Sequence, residues 1–199
     1  MRQVTGSNLT VNNKKVSIQV TLGGLSFSAD KTTIAEDVES IEIVIDTPRV
    51  TLAPREEISI DSATELLRIA GKPCRSNEQS VCSELQADIV AAIAIDREAL
   101  TSIVEKWGSR LSFTSPLLDM RHSDKRCITL DISKQVCYIR LFNDGLQYAE
   151  AATYSTAEDV LYFVNEASNG DNDIPIYIKG GNDIAKLLRR YYKVVICEL

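Results

Sequence analysis

What most constrains this chain is a plan of elements written along it twice. Each half opens on strand, turn, strand and closes on strand, helix, strand, with further strand followed by helix between them. In the first half, Val16 to Leu22 alternates apolar and polar residues, the period of a strand with one wet face, and Gly23-Gly24 turns the chain back as a hairpin into Leu25 to Ala29. Ser40 to Asp46 and Arg49 to Ala53 read as two more strands, with Thr47-Pro48 breaking or bending any pairing between them. Ser62-x-x-Glu65 has capping-box spacing for a helix that carries Leu66, Leu67 and Ala70 on one face and ends at Gly71 and Pro73. Residues 71 to 86 read as loop. Asp88 to Ile95 is short, continuously apolar and β-branched, which suits a central strand covered on both faces. Asp96 then caps a helix with Leu100, Ile103, Val104 and Trp107 on one stripe, stopped at Gly108, and Arg110 to Thr114 is the next strand. That succession predicts a parallel pair joined by a right-handed crossover.

The second half begins with Cys127 to Ile132 and Gln135 to Phe142 as a hairpin, and Asn143-Asp144-Gly145 turns it into a third strand, Leu146 to Thr153. A tight turn at Ser133-Lys134 pairs Leu130 with Cys137 and Cys127 with Arg140, which puts the two sulfurs on opposite faces. Ser155-x-x-Glu158 has capping-box spacing for a helix bearing Val160, Phe163, Val164 and Ala167, closed near Gly170. Ile174 to Ile178 is a strand and Lys179-Gly180-Gly181 a turn. Asn182 caps a helix whose apolar face is Ile184, Leu187, Leu188 and Tyr191, and Lys193 to Cys197 is the last strand.

Composition narrows the function classes. With 28 acidic and 22 basic residues the net charge is −6, so nucleic acid and anionic membrane are repelled unless a local basic patch intervenes. Met1 to Asn8 lacks the apolar core of a leader peptide and no run approaches the ~20 apolar residues of a membrane helix, so the expected compartment is the cytoplasm. Cysteines 74, 82, 127, 137 and 197 have no C-x-x-C spacing and read as reduced thiols. His122 is the only histidine, which leaves no histidine-rich metal site; it stands in a polar run that reads as a solvated linker. Val16 to Leu22 carries no carboxylate, against a two-metal nuclease centre. In Arg189-Arg190-Tyr191-Tyr192-Lys193 the cations complement a helix C-terminus and Tyr191 belongs to the buried face, a structural reading, and Trp107 likewise reads as packing.

Two lobes of order β-β-β-α-β-α-β resemble the ribonuclease-H-like lobe pair of the actin, Hsp70 and sugar-kinase superfamily. The runs Ser40 to Pro54, Ile93 to Leu100, Tyr154 to Phe163 and Leu187 to Tyr191 resemble a Bacteroidota domain-of-unknown-function family with a shrunken actin-like ATPase fold. The resemblance implies an α/β chain of two tandem ribonuclease-H-like lobes with mixed sheets: a flexible segment at 1 to 13, a first lobe at 14 to 119 and a second at 120 to 199, hinged near 116 to 126. The first lobe is reduced, because only Asp30 to Glu39 stands where the family carries a helix.

Actin-like ATPases grip phosphates at one hairpin per lobe, where an acid on the first strand orders metal-bound water and a following glycine opens backbone N–H groups to phosphate. In the first lobe the equivalent stretch keeps Gly23 and Gly24 but has Thr21 for the acid; in the second, Asp131 keeps the acid but Ser133 replaces the glycine. The adenosine-side element is matched by Gly180, Gly181 and Asn182 after a strand. With each half-motif damaged, the expected protein is a non-catalytic binding or assembly module with no cofactor, taking a protein partner or a second copy of itself. The alternative is a nucleotide-binding protein that holds Mg-ATP at these residues with weak or no hydrolysis.

Overall fold

The computed structural model describes residues 15–21, 38–59, 61–84 and 88–198, and the hairpin expected around Gly23-Gly24 and most of Asp30 to Glu39 lie outside them. Eleven strands among the described residues form three sheets. The first joins β1 (Lys15–Thr21), β2 (Ser40–Asp46) and β6 (Leu111–Thr114), all parallel, in the order β1-β2-β6. The second is an antiparallel three-stranded sheet of β3 (Val50–Pro54), β5 (Ile89–Asp96) and β4 (Glu78–Cys82), with β5 in the middle. The third has five strands in the order β11-β10-β7-β8-β9: Val195–Glu198, Ile176–Lys179, Cys127–Ile132, Val136–Phe142 and Leu146–Thr153. In it β7, β10 and β11 run parallel and β7-β8-β9 is the expected meander.

Side-chain period explains how the layers stack. On β5, Ala91, Ile93 and Ile95 face a core shared with Val16, Ile18, Val20, Ile41, Ile43 and Ile45 of the first sheet, while Val90, Ala92 and Ala94 face α1 (Ala63–Ile69) through Ala63 and Leu67. A strand covered on both faces needs the continuous apolar run that β5 has. Helix α2 (Arg97–Trp107) packs Ile103 and Trp107 on the same shared core. The third sheet carries α3 (Ala157–Ser168) and α4 (Asn182–Leu188) on one face, where Ile128, Leu130, Cys137 and Ile139 meet Val160, Val164, Ile184 and Leu188. Its other face sends Val136, Tyr138 and Ala151 into the core of the first sheet. Lys72 ties the inserted sheet to β9 by donating to the carbonyls of Val50 and Ala151 at 3.0 and 3.1 Å.

Several sequence expectations are corrected. Residues 71 to 86 contain β4, a strand without apolar alternation that is held by its ladder to β5 and by Glu78, whose carboxylate accepts from Arg49 and from the Arg75 backbone N–H. Strand β6 pairs with β2 and not with the Asp88–Ile95 run, because β5 is already flanked on both sides by β3 and β4. The Ser62/Glu65 box does not form: the Ser62 hydroxyl accepts from the Ser59 backbone N–H at 2.7 Å and Glu65 is drawn to Arg68. On α2 the buried stripe is Ala99, Ile103 and Trp107, and Val104 is 46 % exposed.

The box on α3 sits one residue later, at Thr156 and Asp159, where one carboxylate collects the N–H groups of both Ser155 and Thr156. The β7-β8 turn falls one residue later than expected, at Lys134-Gln135 with Ser133 N–H donating to the Val136 carbonyl, so Ile132 faces Cys137 and Cys127 faces Phe142; the register moves by two and the sulfurs stay on opposite faces. Gly181, in a left-handed conformation, precedes α4 in place of an Asn182 cap. Because α4 ends at Leu188, Tyr191 is 53 % exposed and Tyr192 is the tyrosine that turns inward, sharing a hydrogen bond with Ser168. None of the described helices is long and apolar enough to cross a membrane.

Candidate functional site

The residues expected to hold a nucleotide in the second half come from two neighbouring strand ends and the helix start that follows one of them. Asp131 is the fifth residue of β7, Ser133 follows that strand, and Gly180-Gly181 follow β10, which runs beside β7 with Lys179 opposite Asp131. Alternation along β7 sends Ile128 and Leu130 to the helices and leaves Thr129 and Asp131 on the face turned toward the first sheet. Across the ladder, Arg140 lies opposite Thr129, and Tyr138 lies opposite Asp131.

That placement gives Asp131 a partner. The Arg140 side chain is buried, its guanidinium forms an ion pair with Asp131, Nε donates to Thr129 Oγ1 at 2.7 Å, and Nη1 donates to the carbonyl of Pro116 in the connecting segment. Every edge of the fork is engaged, as a buried arginine requires. Ser133 is equally occupied. Its backbone N–H donates to the Val136 carbonyl at 2.9 Å, its hydroxyl faces the same carbonyl and the Val136 N–H at 3.3 Å, and its own carbonyl accepts from Tyr154 at 2.6 Å. These Ser133 groups close the β7-β8 turn. Gly180 and Gly181 both have positive φ, 77° and 62°, and a Cβ on Gly180 would stand 2.7 Å from the Ile132 carbonyl oxygen. The turn after β10 needs glycine for its own conformation and for its approach to β7. Asn182 is exposed at the start of α4. Gly23 and Gly24 lie outside the described residues.

A second pair spans the sheets. Asp46 ends β2 beside Thr21 of β1, is 4 % exposed, and accepts from the Tyr138 hydroxyl at 2.8 Å, which also faces the Thr47 carbonyl at 3.2 Å. Burial, with the nearby Asp46 charge, pushes the Tyr138 phenol far above its ordinary range, so the hydroxyl stays protonated and donates. Desolvation likewise pushes the Cys137 thiol up to about 12, which makes it an inert core residue. Sequence reasoning missed Asp46, Tyr138 and Arg140, though a signal was present. A carboxylate closing the apolar run Ile41 to Ile45 and a guanidinium inside Val-Cys-Tyr-Ile-Arg-Leu-Phe both need buried partners.

Tyr138→Phe keeps the packing and strands the Asp46 carboxylate in the interior; unfolding in urea is expected to show a loss of about 1–3 kcal/mol. An unchanged midpoint would mean that the hydroxyl contributes nothing to holding the sheets together.

A small concavity opens at the site itself, lined by Asp131, Arg140, Thr129, His122 and Glu198 among others. A cavity of about 370 Å³, lined by Glu42, Ser83, Glu84, Asp88, Phe113 and Thr114 among others, touches none of the expected nucleotide residues among the described ones. Among the described residues no group of three or more His, Cys, Asp and Glu is arranged to hold a metal ion. His122 is not a solvated linker residue: it stacks on Tyr177 of β10 at 4.2 Å and bonds Glu198 of β11 at 2.7 Å.

No protein-family model matches the sequence, and no curated protein matches it. Among solved structures, a Bacteroides thetaiotaomicron protein with actin-like ATPase fold and unknown function superposes with a TM-score of 0.68 at 20 % identity, over 80 % of this chain and 68 % of that one. The chain has the actin-like ATPase fold. Looser likenesses to the cytoplasmic domain of EpsL, from the type II secretion system of Vibrio cholerae (TM-score 0.43, 10 % identity, 82 % and 81 % covered), and to the AlfA filament from a B. subtilis plasmid (0.40, 13 %, 81 % and 55 %) are too weak to argue from. At such identities the likeness speaks of fold and not of chemistry.

Proposed function

We propose that this chain is a non-catalytic member of the actin-like fold, from the Bacteroidota group its hydrophobic runs resemble, and that it works in the cytoplasm as a binding or assembly module for a protein partner or a second copy. The observation that carries the reading is the internal use of the phosphate-side groups: Asp131 is spent on Arg140, and the Ser133 N–H and hydroxyl are spent on Val136. A phosphate would have to displace a buried ion pair and open a turn, each of which costs more than an exposed group would. The proposed two-lobe organisation, divided near residue 120, draws support from topology. The three parallel strands β1-β2-β6 follow the same order as β7-β10-β11, and the inserted β3-β5-β4 sheet sits between the second and third of the first set.

The test is thermal unfolding with and without millimolar Mg-ATP, for which no shift is expected. A site filled at one hundred times its dissociation constant would add about 2.7 kcal/mol and raise Tm by roughly 5–10 °C. A rise of that size would overturn the reading in favour of a nucleotide-binding protein.

A further inference from the structure

The two edges of the third sheet are treated differently. At β9, Lys72 donates to the Ala151 carbonyl at 3.1 Å and pairs with Glu150. At β11 no strand among the described residues lies beyond. The Ile176 N–H donates to the Val194 carbonyl, and Val195 and Cys197 stand opposite Ile176 and Ile178. A parallel ladder in that phase turns the peptide groups of Val194, Ile196 and Glu198 toward β10 and leaves the N–H and C=O of Val195 and Cys197 pointing outward. Natural edges are commonly blunted by lysine, proline or a bulge, and Val-Ile-Cys-Glu has none of these.

The surroundings of this edge are basic and apolar together. Arg189, Arg190, Tyr191 and Lys193, which lead into β11, are all exposed, because α4 ends at Leu188 and Tyr192 is the residue that turns inward. Val195 packs toward the helices, and Cys197 shares its face. On that face the Arg189 guanidinium reaches the Cys197 sulfur at 3.2 Å, and neither Arg189 nor Arg190 pairs with a carboxylate among the described residues. Lys193 holds Asp173 in an exposed pair, and Glu198 is engaged by His122 and Arg121. Ile196 alternates onto the other face and is 41 % exposed, with Val194 before it at 40 %. A chain of net charge −6 therefore carries a local excess of cations where its ladder is open.

We propose that β11 is a docking edge for an extended acidic segment of a partner protein, added as a further strand of the third sheet with its carboxylates on the Arg189 face and its apolar side chains on Val194 and Ile196. Strand addition takes its affinity from the outward peptide groups and its selectivity from the side chains that alternate above and below them. Charge chooses the occupant. A second copy would bring another set of the same cations to this edge, and a nucleic acid would answer the cations but has no peptide groups to pair with Val195 and Cys197. The proposal rests on the reading of the chain as a binding module and names the chemistry of its partner. A Tm rise with Mg-ATP would overturn that reading and leave the edge as it is, whereas the titration below bears on the edge alone.

The test is an amide NMR titration of the intact chain with synthetic peptides of about eight residues, long enough to cover a strand of ordinary length. A peptide alternating valine and glutamate should shift the Val195 and Cys197 amides saturably and slow their hydrogen exchange, and its valine-lysine counterpart should do neither. N-methylation of the glutamates alone or of the valines alone should abolish binding for one peptide and spare the other, because only one row of N–H groups faces β11. Arg189→Glu with Arg190→Glu, both on the surface, should weaken the acidic peptide at least about tenfold while leaving the melting temperature unchanged. The proposal is overturned if millimolar acidic peptide leaves the β11 amides in place, if the lysine peptide binds equally well, or if both methylated peptides bind like their parent. An oligothymidylate that shifts the same amides more tightly would assign the edge to nucleic acid instead. Val195 and Cys197 amides already protected in a concentration-dependent dimer would assign it to a second copy.

Discussion

Arg140→Met is expected to cost about 3–5 kcal/mol in urea unfolding, among the larger effects a single side chain in this fold can have. The loss comes from what stays behind. Asp131, 15 % exposed, would keep a carboxylate facing the first sheet with its guanidinium gone, and the Thr129 hydroxyl and the Pro116 carbonyl would lose a donor together. Adding Asp131→Asn removes the stranded charge, so the double variant should recover roughly 1–2 kcal/mol of the loss, a coupling that a double-mutant cycle reads directly. The experiment also separates the two roles open to Asp131. If its carboxylate served a magnesium site, freeing it from Arg140 would make the variant's melting temperature depend on magnesium. As a structural ion pair it should leave both proteins indifferent to the metal.

The fold was legible to the extent that one-residue periodicities govern it. The apolar alternation of β1, the continuous run of β5 and the meander β7-β8-β9 were read correctly because burial on one face or both leaves a direct mark on sequence. Strand β4 left no such mark: Glu-Gln-Ser-Val-Cys is held by backbone pairing and one ion pair, neither of which has a period. Pairing choice was also hidden. Whether β6 joins β5 or β2 depends on which edge is still open, a property of the assembled sheets. The start of α3 slipped by one residue in a tie between overlapping capping patterns, and at α1 Ser62 keeps its N-cap position while its hydroxyl is recruited by Ser59; local spacing cannot break a tie of that kind.

At the site, the placement of the residues was legible and their bonding partners were not. Asp131, Ser133, Gly180 and Gly181 do converge on neighbouring strand ends, as the resemblance implied. Their partners, Arg140, Val136 and Ile132, come from the neighbouring residues of β7 and β8, and reading them required the register. A register two residues away from the expected one leaves every side chain on its face, so the direction of Asp131 was predictable while its partner was not.

Gly180→Ala is the second large effect expected, a loss of about 2–4 kcal/mol measured by urea or thermal unfolding. An alanine at φ +77° carries the left-handed penalty of ~1–2 kcal/mol, and its Cβ would meet the Ile132 carbonyl oxygen at 2.7 Å, where only backbone movement relieves the contact. Gly181→Ala pays a similar conformational penalty, but its Cβ meets the Ile132 side chain at 3.0 to 3.2 Å, which can yield. The two glycines should therefore respond differently to Ile132→Ala. Trimming that side chain should relieve part of the Gly181→Ala cost and none of the Gly180→Ala cost, because the obstacle at Gly180 is the peptide oxygen that every residue at 132 carries. Equal relief at both positions would mean that the turn after β10 is shaped by side-chain packing alone. Unequal relief would place the need for glycine at 180 in the approach of one strand end to the next, which operates whether or not a nucleotide ever visits the fold.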